Sequence, residues 1–148
     1  MNIDPDNPVV KLCVKGMQAE GEGRLEEARD LFMRAWAARR DDFEACVAAH
    51  FVARHQDNLE DLLRWNLEAF DRAEAVGDER VRGFYPSLYL NLGWSYEVLG
   101  DRTEAGKYYA LATTRVDDLP AGPYRDVVEK GITEGRKRMG ESEERGVI

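Results

Sequence analysis

The sequence predicts an all-α fold built from successive helical hairpins. Apolar residues recur at helical spacing through most of the chain, and no segment alternates with period two for long enough to read as a strand. A pattern of small and aromatic residues returns at fixed offsets, the mark of a repeated supersecondary unit. Glycines and short polar caps stand where each periodic stretch would end or begin.

The repeat is read from residue positions. From Gly16, twelve residues lead to Ala28, then come Phe32 and Ala35; from Gly93 the same offsets give Ala105, Tyr109 and Ala112. In a middle copy His50 takes the glycine slot, and Leu62, Asn66 and Ala69 follow. Gly16 to His50 spans 34 residues and His50 to Gly93 spans 43, with the extra length in DRAEAVGDERVRGFYPS. Gly93 and Ala105 would be small because two helices cross there, with Tyr96 and Tyr109 filling the space around the crossing.

The elements follow in order. A first helix over 8–22 opens with Asn7 as cap and Pro8 at the one position that suits proline, and it stops before Gly23. A second covers 25–39, and a third covers 42–56, opened by Asp41 with Glu44 three residues on. The fourth, 59–76, closes at Gly77, and the fifth, 79–99, closes at Gly100. Asp101 with Glu104 opens a sixth over 102–117. The seventh, 123–139, places Val127, Val128, Ile132 and Met139 roughly on one face and would cap the stack with a polar outer side. ESEERGVI, 141–148, reads as a frayed, disordered tail.

In the third copy Tyr89, Leu92, Gly93 and Tyr96, followed by Gly100, Ala105, Tyr109 and Ala112, stand where tetratricopeptide repeats show Trp, Leu, Gly and Tyr and then their second helix. The chain resembles that family over about residues 9–118. The family's closing proline is absent; Arg40 and Asp117 stand near its slot. The resemblance implies a right-handed α-α superhelix in one domain over 1–140: repeats at about 9–42, 43–78 and 79–118, then the capping helix. It further implies a non-catalytic interaction module whose first helices line a concave groove.

Composition excludes several classes. The chain has 148 residues, 43% hydrophobic and 34% charged, with a formal net charge of -8, which repels nucleic-acid phosphates. Its most basic run, Arg136-Lys137-Arg138, is followed by Glu141, Glu143 and Glu144 and reads as the charged end of a helix. MNIDPDNPVV carries neither a basic nor an apolar leader region, and no stretch is apolar enough to span a membrane, so a cytoplasmic location is expected. Cys13 and Cys46 lie within apolar helical patterns and are expected to be buried free thiols. No cofactor is expected.

Three motifs suggest chemistry. GWSYE falls short of a nucleophile elbow, because Ser95 sits mid-helix and Glu97 replaces the second glycine. EGEG, 20–23, follows an amphipathic helix rather than a strand, so it reads as a helix end and turn. His50 and His55, with Cys46 a turn earlier, form an alternative metal-binding reading, but five residues put the histidines ~140° apart around a helix.

Carried over from the family, the groove positions include Cys13, Met17 and Glu20, then Glu44, Val47, Phe51, Arg54 and His55, then Ser87, Leu90, Trp94 and Glu97. Met17, Phe51 and Trp94 would form an apolar stripe flanked by Cys13, Val47 and Leu90, with Glu20, Glu44, Arg54 and Glu97 setting charge at the rim. Of the lysine and asparagine clamp that chaperone-binding members use, only Asn91 matches, which disfavours a chaperone tail as ligand. The stripe binds a protein or peptide segment, or residues 123–139 or a second copy of the chain cover it.

Overall fold

A computed structural model describes residues 3–147, with side chains described as far as Gly140. The described residues are helical throughout with no strand. They divide into two compact units, Met1–Val81 and Arg82–Ile148. The first holds α1 (Pro8–Gly21), α2 (Leu25–Ala37), α3 (Asp42–Ala53) and α4 (Leu59–Val76), and α5 (Glu79–Arg82) is a single turn at the junction. The second holds α6 (Tyr85–Val98), α7 (Arg102–Arg115), a 3-10 turn at Val116–Asp118, and α8 (Pro123–Val147).

The helix ends follow local chemistry. The Asn7 side chain accepts hydrogen bonds from the Val9 and Val10 amides, Asp41 accepts from Glu44, and Asp101 accepts from Glu104. Asn58 caps α4 in the same way, through the Glu60 and Asp61 amides. Gly77 closes α4 with φ 61°, and Gly100 follows α6 with φ 87°, backbone that a residue with a Cβ adopts only with strain.

Several boundaries differ from expectation. The helix expected over 79–99 breaks, because Pro86 lies in the first turn of α6 and has no amide to continue the ladder from α5. Helices α2 and α3 stop short of 39 and 56, at Ala37 and Ala53. Before α3 the chain must extend so that Asp41, at φ -151° and ψ 177°, can cap it. Helix α8 runs past 139 to Val147, through most of the expected tail, and Ile148 lies outside the described residues.

Within the first unit α1 packs on α2, α3 packs on α4, and α3 also lies against α1 and α2. Ala28, Phe32 and Ala35 are fully buried. A Cβ on Gly16 would overlap the Phe32 ring, coming within 2.7 Å of Cδ1, so α1 meets α2 by direct backbone contact with an aromatic side chain.

Within the second unit the same relationship recurs: Ala105, Tyr109 and Ala112 are fully buried, and a Cβ on Gly93 would come within 2.7 Å of the Tyr109 ring. Helix α8 packs on α6 and α7 through Val128, Ile132 and Met139. Val127, expected on that face, is 68% exposed, since consecutive residues are ~100° apart on a helix. Gly131 and Gly135, one turn apart, let α8 approach closely: a Cβ would come within 3.0 Å of Leu90 at the first and 2.5 Å of the Tyr109 ring at the second.

Candidate partner-binding faces

In the first unit the groove positions separate by burial. Cys13 and Val47, expected as flanking groove residues, are 1% and 7% exposed and are core residues, because α3 lies against α1 and α2 along that side. Met17 remains 39% exposed, Phe51 is half-buried and Arg54 is exposed. Phe51 stacks on Phe32 at 5.2 Å between centroids, and His55 stacks on Phe32 at 5.5 Å. Glu20 is enclosed by basic groups: its Oε2 lies 2.7 Å from His55 Nε2 and its Oε1 3.2 Å from Arg54 Nη2. The Arg54 guanidinium also sits 5.6 Å from the Phe51 ring centroid.

Glu44 is not a rim charge. It is 2% exposed and accepts hydrogen bonds from the Arg40 amide and guanidinium and from Asn7 Nδ2. The Arg40 guanidinium beside it is the main reason that its carboxyl is held down to about 2. It ties the start of α1 to the α2–α3 connection and serves the fold.

In the second unit Leu90 is half-buried against Val128, Ile132 and their neighbours, and Asn91 is half-buried on the same helix. Trp94 stays 47% exposed. Glu97 accepts from the Tyr109 hydroxyl at 2.7 Å and from Arg138 Nε and Nη2 at 2.7 and 3.1 Å. Burial alone would raise the Glu97 carboxyl, but these donors hold it below its ordinary value; burial and the Glu97 charge push the Tyr109 phenol up. The Arg138 guanidinium also lies 5.5 Å from the Trp94 ring. Arg138 therefore does more than end a helix with charge.

Helix α8 thus occupies much of this unit's candidate face. The Ser87 and Tyr124 hydroxyls are hydrogen-bonded, Gly131 meets Leu90, and Arg138 meets Glu97. Trp94 keeps about half of its surface exposed beside Arg138 of α8. Of the stripe and its flanking residues, residues 123–139 meet Leu90, and they also meet Ser87 and Glu97 beside it.

The remaining candidates have structural surroundings. The fully buried Ser95 donates to the Asn91 carbonyl, a bond within its own helix. In EGEG, Gly23 turns the chain with φ 78°. Burial, with Arg54 nearby, pushes the His50 imidazole down to about 4, and its ring meets Phe51 edge-on at 5.2 Å. Among the described residues no three His, Cys, Asp or Glu side chains are grouped as a metal ion would need; His55 is turned to Glu20 and Cys46 lies in the core.

Two features lie outside the sequence-based expectations. The Gly131 and Gly135 spacing on an amphipathic helix is a legible sign of close packing. A polar cleft of about 640 Å³ lies between the α2–α3 connection and Arg72, lined by Ala37, Arg39, Arg40, Asp41, Asp42 and Arg72. There Arg40 is committed to Glu44, Arg72 to Asp42 and Glu68, and Arg39 lies 3.9 Å from the centroid of Trp36, which meets Trp65 edge-on.

Compared with family models, with curated proteins and with solved structures, the chain finds no match. Among the described residues no helix is long and apolar enough to cross a membrane.

Proposed function

We propose that this chain is a non-catalytic interaction module, a right-handed solenoid of tetratricopeptide-like hairpins that binds a segment of a partner protein through Met17, Phe51 and Trp94. One observation carries the reading. In both units the residue after the slot keeps apolar surface accessible, as Met17 at 39% and Trp94 at 47% do, while the glutamate three residues further on is held by basic side chains from another element, Arg54 and His55 just after α3 or Arg138 on α8. An indole left half in water beside a fixed guanidinium has the composition of an interface anchor. The recurrence of the glycine–aromatic contact, Gly16 with Phe32 and Gly93 with Tyr109, supports a repeated hairpin as its frame.

The test places a photo-crosslinking residue at position 17 or 94, with position 33 on α2, where Met33 is 45% exposed, as control. A partner is expected to crosslink from 17 and 94 and not from 33, and Phe51→Glu or Trp94→Glu should lose it while keeping native helicity by circular dichroism. Retention of every partner by folded variants overturns the reading. Self-association through the same residues is the second reading, and light scattering over a concentration range separates the two.

A further inference from the structure

The carboxylates that the sequence offers as the charge of these faces are already engaged. Glu20 and Glu97 each have only 15% of the side chain exposed, under Arg54 with His55 and under Arg138 respectively. What each aromatic anchor presents to solvent is a guanidinium. The Arg54 side chain is 47% exposed with its charge 5.6 Å from the Phe51 ring, and the Arg138 side chain is 42% exposed with its charge 5.5 Å from Trp94. Among the described residues each keeps donors for a further acceptor: Arg54 spends Nη2 on Glu20, while Arg138 spends Nε and Nη2 on Glu97 and leaves Nη1. The more exposed charge beside each anchor is therefore basic, in a chain whose net charge is -8.

Resting on the interaction-module reading, we propose that the bound segment is an acidic amphipathic helix, whose apolar side chain packs on Phe51 or Trp94 and whose carboxylate, about one helical turn away, pairs with Arg54 or Arg138. A guanidinium already lying on an aromatic ring is partly desolvated and oriented, so a carboxylate gains a charge-assisted bond with little ordering cost. A basic segment meets like charge before it reaches either glutamate.

The experiment uses the full chain and three fluorescein-labelled amphipathic helical peptides, identical except that the positions beside the apolar stripe are all Glu, all Gln or all Lys. Fluorescence anisotropy should show the Glu peptide binding roughly tenfold tighter than the Gln peptide, with the Lys peptide weakest. The preference should vanish in an Arg54→Gln, Arg138→Gln double variant. Arg54→Gln alone, which leaves Glu20 its His55 partner, should remove the preference at the Phe51 face and keep it at the Trp94 face, without disturbing α8. A Lys peptide that binds as well as the Glu peptide overturns the proposal, as does a preference that survives the double variant. So does displacement of the Glu peptide by unlabelled chain at rising concentration, which makes a second copy the occupant. If all three peptides bind alike and Phe51→Glu abolishes binding, the acidic preference fails and the interaction reading stands; if none binds, both fail.

Discussion

Tyr109 is held between glycines on two different helices: a Cβ on Gly93 would stand 2.7 Å from its ring and a Cβ on Gly135 2.5 Å. The ring is fully buried, so it has no free side to move into. Gly93→Ala and Gly135→Ala are each expected to destabilise the chain by about 1–2 kcal/mol, overpacking outweighing the better helix propensity of alanine. Gly106, on α7, is the control, because a Cβ added there would meet nothing within 4 Å: Gly106→Ala should stabilise by roughly 0.5–1 kcal/mol. Urea midpoints measure all three.

The hydroxyl of Tyr109 carries a separate prediction. Its bond to Glu97 supplements those from Arg138, so Tyr109→Phe keeps the packing and removes one donor. The expected loss is about 1 kcal/mol, and a double-mutant cycle with Glu97→Gln should return a coupling of similar size. In the first unit Phe32 at the equivalent position has no hydroxyl, and His55 supplies the donor to Glu20 instead.

Two groups predict two windows of acid sensitivity. His50 has its folded pKa lowered from 6.5 to about 4, so the unfolded chain binds the proton first and stability falls as pH drops from 6.5 towards 4. Glu44 has its folded pKa lowered from 4.5 to about 2, so its contribution is complete above 4.5 and is lost as pH drops from there towards 2. The Glu44 window should amount to roughly 1–3 kcal/mol. Stability measured against pH should lose its upper slope in His50→Gln and its lower slope in Glu44→Gln.

The cysteines should be silent to thiol reagents in the native state. Cys13 and Cys46 are each 1% exposed, and burial pushes both thiols up to about 12, which removes the nucleophilic thiolate. Labelling with a maleimide should follow the unfolding transition; rapid labelling of the folded protein would contradict this burial.

What was legible in the sequence is what sterics alone impose. Gly16 with Phe32 and Gly93 with Tyr109 are readable at a fixed offset because only a missing side chain admits an aromatic ring at a hairpin crossing. Asn7, Asp41 and Asp101 were readable because a cap acts on its own amides. The charge of the candidate face was not readable, because Glu97 and Arg138 lie 41 residues apart and nothing local pairs them. Nor was the burial of Val47, which depends on how α3 meets the first hairpin. The break before α6 was signalled by Pro86, whose effect on the ladder the periodicity of the flanking residues hides.

The glycine–tyrosine–glycine contact constrains how this chain can vary. Positions 93, 109 and 135 form one steric unit drawn from three helices, so no member can enlarge while the other two stay as they are. An alanine at 93 or 135 should become tolerable once position 109 carries a smaller apolar residue, and a leucine at 109 should in turn lose most of its cost when both glycines are replaced. In any set of diverged sequences sharing this packing, the three positions would change together or not at all, a covariation that links α6 and α7 to α8.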